Sequence, residues 1–409
     1  MKKSVQIQLS FMMFLEFFIW GGWFVTLGIY LPNTLSSDGG QIAMAYSTQP
    51  WGAIIAPFII GLIADRYFNA EKILGVLHMV GAVLMYMMYQ ATDFDAFYPY
   101  VLGYMIAYMP TLALVNSVSF NQMKNPEKEF SFIRVWGTIG WIVAGLLISF
   151  VFKWDSSQGI QDGLLKNTFM MTAAASLLLG LFSFSLPKTP PKAKGEKVSL
   201  SDILGLDALK LLRDRNFLIF FVSSILICVP LAFYYQHAGQ FLGEIGVENP
   251  AGKMTLGQIS EVGFMLLLPF FFKKYGFKKT ILFGMFAWGA RYALFAFGNT
   301  GDLFFMLLTG IALHGICYDF FFVSGQIYTD SKAGAKVKNA AQGLITLATY
   351  GIGMLVGFWV AGKIVDQNVL ADGAHSWQDV WMFPALFAVG VLVIFALLFK
   401  SEKVAYKSS

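Results

Sequence analysis

Apolar segments of about 20 residues recur along this 409-residue chain, and they constrain its fold more than any other feature. A helix of about 20 residues is long enough to cross the hydrocarbon core of a bilayer. Backbone groups inside a bilayer must be paired internally, and these runs are too long and unalternating for barrel strands. The sequence therefore predicts twelve spanning helices, at residues 8–31, 41–64, 72–91, 97–121, 130–153, 165–186, 216–243, 254–273, 279–298, 302–328, 338–365 and 378–400.

The composition agrees with a chain that faces lipid. Charged residues make up only 13% of the sequence, and the mean hydropathy is +0.62. A soluble domain has about 25% charged residues, so this chain has too few charges to cover a water-facing surface. No glycine-rich phosphate loop, catalytic triad or metal-ligand cluster is present in the sequence, so no enzyme is predicted.

The distribution of Lys and Arg predicts the orientation of the helices. With both termini in the cytoplasm, most of the 29 basic residues fall at the termini, in cytoplasmic loops or at their edges, as Lys72, Lys128 and Lys279 do. The outer loops carry acidic residues instead, such as Asp38 and Asp95. This is the positive-inside bias of membrane proteins. We therefore interpret the net charge of +5 as an orientation signal and expect no nucleic-acid partner.

The longest polar stretch divides the chain into two halves of six predicted helices. Residues 187–214 are predicted to be a cytoplasmic linker between one six-helix bundle at 1–186 and another at 215–409. The halves also show a weak repeat, because Arg66-Tyr67 aligns without gaps with Lys274-Tyr275. Parallel six-helix repeats with a substrate site between them near the midplane are typical of one large class of transporters. We expect an all-α integral membrane protein with two six-helix pseudo-repeats.

A few charged residues lie inside the predicted spans. They are Glu16, Arg134, Glu261, Arg291 and Asp319. A charge at the centre of a membrane helix costs about 2.5–3.5 kcal/mol on insertion scales, so it lines a cavity or has a partner. Both interpretations are open for Arg291, which could pair with Asp319 or Glu261, and for Glu16, which could be a polar contact between helices.

Helical spacing places polar residues and aromatic rings on shared helix faces. Polar groups beside flat rings suit a ligand with an apolar face and several hydroxyls, which predicts a binding site. A single aromatic stripe is more typical of packing or of an interface belt, but the joint pattern in the fifth, eighth and tenth spans favours function. The groups are Glu16, Trp20 and Trp23; Arg134, Thr138 and Trp141; Gln258 and Glu261; and His314, Tyr318 and Asp319.

Small residues form further stripes that predict close helix packing. In the fifth span, Gly137, Gly140 and Ala144 lie on one face. In the eleventh span, a run of glycines predicts packing and bending, namely Gly351, Gly353, Gly357 and Gly362.

Several motifs resemble a known family from nearly one end of the chain to the other. The chain is similar to the nucleoside:proton symporters of the major facilitator superfamily, the bacterial nucleoside permeases. The matching stretches are WGGWFVTLGIYL at Trp20–Leu31, AYMPTLALVNSVSF at Ala107–Phe120, IRVWGTIGW at Ile133–Trp141, GLDALKLL at Gly205–Leu212, QISE at Gln258–Glu261, YDFFFVSG at Tyr318–Gly325, AQG at Ala341–Gly343 and WQDVW at Trp377–Trp381.

The resemblance implies a major facilitator fold and a set of site residues. The nucleoside-binding arginine and threonine of the family's fifth helix match Arg134 and Thr138. The glutamine and glutamate of its eighth helix match Gln258 and Glu261, and the aromatic–aspartate pair of its tenth helix matches Tyr318 and Asp319. The segment GLIADRYFNAEK resembles the superfamily's loop motif after the second helix, which implies a conformational latch at Asp65 and Arg66.

The chain departs from the family's pattern at five positions. Trp141 replaces a phenylalanine and His314 replaces a tyrosine. In the seventh span, Ala232 and Tyr235 replace a glutamine and an asparagine, with Gln236 and His237 nearby. Glu16 replaces a glutamine. We keep Trp141 and His314 among the expected substrate-binding residues.

The resemblance and the residues together predict proton-coupled nucleoside uptake by alternating access. The expected partners are nucleosides, protons and the lipid bilayer of a bacterial inner membrane, and the proton gradient drives transport without a cofactor. Asp319 is the first choice for the proton-coupling carboxylate, Glu261 the second and Glu16 the third. The alternatives are a sugar or oligosaccharide proton symporter of the same fold, a multidrug exporter and a nutrient sensor that transports nothing.

Overall fold

The computed structural model of the chain is almost entirely helical. It describes residues 2–59, 67–123, 126–191 and 206–402. Its α-helices are α1 (Lys3–Gly21), α2 (Leu27–Thr34), α3 (Gly39–Ile59), α4 (Ala70–Gln90), α5 (Phe94–Asn121), α6 (Pro126–Leu146), α7 (Ser157–Gln161), α8 (Asn167–Ser183), α9 (Arg215–Glu244), α10 (Pro250–Phe297), α11 (Phe304–Ala312), α12 (His314–Tyr318), α13 (Ser324–Thr346), α14 (Met354–Gln367) and α15 (Trp377–Leu398).

Most of the predicted spans coincide with helices among the described residues. Ten helical segments of the described residues are long and apolar enough to cross a membrane. The eighth and ninth predicted spans both lie in the 48-residue α10, whose backbone leaves helical geometry at Gly276, with φ 75° and ψ 172°. A glycine tolerates this left-handed φ because it has no Cβ. The polar stretch between the tenth and eleventh spans, predicted to be a loop, is instead helical within α13.

The first predicted span is interrupted. Helix α1 ends at Gly21 and α2 begins at Leu27, with turns between them. A Cβ at Gly21 would lie 2.8 Å from Trp141 Cγ, and one at Gly22 would lie 2.6 Å from Thr172 Cγ2. The break therefore lies beside α6 and α8, at positions where a side chain larger than that of glycine would not fit without a shift of its neighbours.

The chain folds into two compact units. Among the described residues, the first unit holds 2–191 with Glu248–Gly252, and the second holds 206–247 with 253–402. In the first unit, α1 packs against α6 and α4 packs against both α5 and α8. In the second unit, α9 packs against α14 and α15.

Glycines let α9 and the eleventh predicted span approach each other in the second unit. A Cβ at Gly353 would lie 2.7 Å from Cys228 Cβ, and one at Gly357 would lie 2.7 Å from Ala232 Cβ. The predicted role of these glycines in close packing is confirmed.

Asp214 caps the N-terminal end of α9. Asp214 Oδ1 accepts a hydrogen bond from the Phe217 N–H at 2.9 Å, and Asp214 Oδ2 lies 3.0 Å from Lys332 Nζ. The Phe217 N–H is the largest cause that lowers the pKa of Asp214, and Lys332 adds to it. An aspartate cap of this kind fixes where the helix begins.

Candidate functional site

The predicted site residues form two groups, one in each unit. In the first unit, Arg134, Thr138 and Trp141 lie along α6, and each is partly exposed. The Arg134 guanidinium lies over the ring of Phe17, 4.1 Å from its centroid. Trp141 packs edge-to-face on Trp20, with ring centroids 5.5 Å apart. This face combines a cation, a hydroxyl and aromatic rings, which suits a flat polar ligand.

Helix α6 reaches this position because it packs very closely on α1. A Cβ at Gly140 would lie 2.2 Å from the Phe14 carbonyl oxygen, and one at Gly137 would lie 2.7 Å from Phe17 Cδ2. Any larger side chain at either position would push the two helices apart. The predicted small-residue stripe of the fifth span is therefore confirmed as a helix contact.

Glu16 is completely buried beneath this face. Its two carboxyl oxygens contact His78 Nε2 at 2.8 Å and Thr111 Oγ1 at 2.6 Å. The structure thus contains the polar contact between helices that the sequence left open as an alternative. No pattern in the sequence identifies His78 as the partner, because 62 residues separate the two.

In the second unit, α10, α12 and the segment directly after α12 carry five predicted site residues. Gln258 and Glu261 lie one turn apart on α10 and are both partly exposed. A Cβ at Gly315 of α12 would lie 2.6 Å from the Glu261 backbone nitrogen, and the Gly315 N–H donates to Ser260 Oγ at 3.1 Å. The two helices therefore touch backbone to backbone, beside the segment that carries His314, Tyr318 and Asp319.

Asp319 has the most unusual environment of the predicted residues. It is 0% exposed, and neither carboxyl oxygen has a hydrogen-bond partner among the described residues. It begins a π-helical segment, Asp319–Val323, and such segments often occur at functional sites. The predicted alternative in which Arg291 pairs with Asp319 is therefore wrong. A buried carboxyl without a donor is most stable when it carries a proton.

His314 also contacts Arg291 in the interior of the unit. His314 Nδ1 lies 3.1 Å from Arg291 Nη1, and both side chains are buried. The Arg291 guanidinium lies 3.4 Å from the centroid of the Tyr234 ring, on which the His314 ring also stacks. The aromatic face of Tyr234 stabilises the positive charge of Arg291, which explains how this cation is tolerated inside the unit.

The structure adds Tyr350 to the predicted residues. Its hydroxyl lies 2.6 Å from the hydroxyl of Tyr318, and it belongs to the π-helical segment Leu347–Gly353. The sequence reasoning missed it because its neighbourhood was interpreted only as a packing run of glycines. A tyrosine inside an apolar span is the signal that could have identified it.

The departures in the seventh predicted span have different physical explanations. Ala232 is buried where Gly357 approaches, so a glutamine would not fit there. Tyr235 lies edge-to-face on His314, with centroids 6.4 Å apart. The nearby Gln236 and His237 are fully buried, and His237 is hydrogen-bonded to Gln240 at 2.8 Å.

The predicted latch residues Asp65 and Arg66 lie outside the described residues. The description of the first unit stops at residue 59 and resumes at 67. The assignment of these two residues as a latch therefore stays a prediction.

Comparison with known proteins gives matches that span the chain. The sequence model of the family described as Nucleoside H+ symporter matches residues 2–404. YegT of Escherichia coli (strain K12) is 44% identical over 403 residues, covering 97% of this chain and 94% of YegT. The xanthosine permease of the same organism is 34% identical over 424 residues, covering 99% of both chains.

A solved structure agrees with these matches. The crystal structure of nucleoside transporter NupG superposes with a TM-score of 0.86 at 31% identity, covering 97% of this chain and 100% of that chain. These relatives are transporters and not enzymes. They agree with the predicted major facilitator fold and with the prediction that the chain is not an enzyme. The chain is an all-α membrane protein that belongs to the nucleoside H+ symporter family.

Proposed function

We propose that this chain imports nucleosides together with protons, by alternating access of its substrate site to the two sides of the membrane. Family membership supports the reaction. The single structural observation that carries the coupling is the buried Asp319 carboxyl without a hydrogen-bond partner among the described residues. Such a group can take up a proton in dry surroundings and lose it when water or a cation reaches it. The proton gradient drives this cycle, so no cofactor is required.

Each unit holds some of the proposed substrate-binding residues. Gln258, Glu261, His314, Tyr318 and Asp319 supply hydrogen-bonding groups beside aromatic rings, which suits a ribose. In the other unit, Arg134, Thr138 and Trp141 supply a cation, a hydroxyl and an indole. Stacking on an aromatic ring is worth about 1–3 kcal/mol per base, so the indole is the stronger candidate for contact with the nucleobase.

Alternating access needs two halves that move relative to each other. We therefore retain the halves at 1–186 and 215–409, joined by the linker at 187–214, as part of the proposal. The latch role of Asp65 and Arg66 and the second and third choices for proton coupling, Glu261 and Glu16, belong to it as well.

Uptake into proteoliposomes tests the proposed function. Radiolabelled uridine and adenosine should accumulate when the outside is more acidic than the inside, and should only equilibrate without the gradient. Competition with purine nucleosides, pyrimidine nucleosides, sugars and oligosaccharides separates this proposal from a sugar symporter. Export of substrate, competition by sugars alone, or specific binding without flux would each overturn it.

We also propose that the chain lies in a bacterial inner membrane with both termini in the cytoplasm. Cysteines introduced at the exposed Lys188 and Lys210 should react only with reagent on the cytoplasmic side, and one at the exposed Asp95 only from outside. The native Cys228 and Cys317 are 0% exposed, so background labelling should be low. Labelling of all three sites from the same side would contradict the orientation.

Gly315→Val should weaken nucleoside binding by about tenfold or more. A side chain at this position meets the backbone of Ser260 and Glu261, so α10 and α12 must separate and the ribose-binding groups must shift. Overpacking of this kind costs about 1–3 kcal/mol. Gly263 of α10, where a Cβ would meet nothing within 4 Å, is the matched control. Equal affinities of Gly315→Val and Gly263→Val would show that this helix contact does not set the site.

A further inference from the structure

Glu16 and His78 form a buried pair whose role is not explained by proton coupling at Asp319. Their side chains are 0% and 1% exposed, and Glu16 Oε2 lies 2.8 Å from His78 Nε2. The pair joins α1 to α4, while Thr111 of α5 and Ser176 of α8 bond to its outer ends. Four helices of the first unit therefore meet at one hydrogen-bonded group.

The hydrogen bonds around the pair hold both side chains in place. Ser176 Oγ donates to the His78 carbonyl oxygen at 2.8 Å and lies 3.2 Å from His78 Nδ1. Thr111 Oγ1 lies 2.6 Å from Glu16 Oε1 and 2.5 Å from the Tyr108 carbonyl oxygen. Hydroxyl groups of α5 and α8 therefore fix the two ends of the pair.

The pair is linked to the aromatic face of the first unit. Tyr108 Oη donates to the Glu16 carbonyl oxygen at 2.7 Å, which ties α5 to α1 at this level. Trp20, one turn after Glu16, packs edge-to-face on Tyr108 at 5.8 Å and on Trp141 at 5.5 Å. Because Trp20 is partly exposed, its position shapes the surface that Trp141 offers to a ligand.

We propose that Glu16 and His78 act as positioning residues for Trp20 and Trp141, which contact the nucleobase. This inference rests on the proposed nucleoside transport. It gives Glu16 a role in substrate recognition, and it adds Trp20 to the substrate-binding residues.

A double-mutant cycle on the KM for nucleoside exchange at equal pH tests the proposal. Trp20→Ala and Glu16→Ala should each raise KM about tenfold, as expected for loss of one base–aromatic contact. The double variant should raise KM no further than about tenfold, since both changes remove the same contact and residues acting as a unit are not additive. An increase of about a hundredfold would mean that the two residues act independently, and would overturn the proposal.

Conservative variants separate positioning from proton coupling. Glu16→Gln keeps the hydrogen bonds and should return KM to within about threefold of the wild-type value, with an unaltered dependence of uptake on the pH gradient. Loss of that dependence in Glu16→Gln would make Glu16 a coupling residue. If Glu16→Ala does not fold, the cycle of His78→Phe with Trp20→Ala decides in the same way, because His78→Phe keeps a ring but removes the hydrogen bond to Glu16.

A matched control and the wild-type protein complete the design. Ser183→Ala removes another buried hydroxyl of the first unit, one that bonds to Leu179 of its own helix, and should leave KM unchanged. Wild-type protein without gradient-driven uptake would refute the proposed function. Wild-type transport combined with an additive cycle would refute only the positioning role.

Discussion

Asp319→Asn is expected to abolish nucleoside accumulation driven by a pH gradient, while nucleoside exchange between compartments of equal pH continues. The asparagine keeps the size of the side chain and can still form hydrogen bonds with a substrate, but it cannot release a proton. Because Asp319 is buried without a hydrogen-bond partner among the described residues, the uncharged asparagine suits its surroundings and the protein should fold. Counterflow of labelled uridine and uptake under an imposed gradient measure the two activities.

The matched control for this variant is Ser324→Ala. Ser324 is also fully buried and begins the helix that follows the π-helical segment of Asp319, but it carries no proton to release. It should therefore retain gradient-driven accumulation. Full accumulation by Asp319→Asn would exclude Asp319 as the coupling residue and direct the same experiment to Glu261→Gln. Loss of folding together with both activities would indicate a purely structural role.

Arg134→Ala should weaken nucleoside binding by more than about tenfold. A hydrogen bond to a charged group is worth about 1.5–3 kcal/mol, and 1.4 kcal/mol corresponds to a factor of ten. Arg134 is partly exposed on α6 and its guanidinium lies 4.1 Å from the centroid of the Phe17 ring, so truncation also removes a contact that orders the aromatic face. Titration calorimetry with uridine and adenosine on purified protein measures the effect.

Lys166→Ala is the control for the loss of a cation that lies over a ring. The Lys166 ammonium lies 5.5 Å from the centroid of the Tyr89 ring, on an exposed side chain before α8. Its removal should leave nucleoside affinity within about twofold, as for most surface substitutions. Unchanged affinity in a correctly folded Arg134→Ala would place the substrate elsewhere in the molecule.

The sequence predicts the helices of this chain well because the bilayer imposes a strong local rule. In lipid, a run of about 20 apolar residues forms a spanning helix, because a helix pairs all of its own backbone groups. The rule does not predict where a span is interrupted or where a helix continues beyond an apolar run. Neither the interruption after Gly21, which lies close to Trp141, nor the helical continuation through α13 follows from hydropathy.

The site could be predicted only in part, for a similar reason. Spacing along one helix places Arg134 with Thr138 and Gln258 with Glu261, because neighbours on a helix face are a local property. Contacts between helices are not local. The pairing of Glu16 with His78 and that of Tyr318 with Tyr350 depend on how separate helices pack, which no spacing in the sequence encodes.

Proton movement driven by nucleoside is the measurement that tests the central claim most directly. Proteoliposomes with a pH-sensitive dye inside, and the same pH on both sides, receive uridine or adenosine outside. The lumen should become acidic in proportion to the nucleoside that enters, and liposomes that carry Asp319→Asn should show nucleoside exchange without acidification. Nucleoside entry through the wild-type protein without any change in lumen pH would contradict proton-coupled transport.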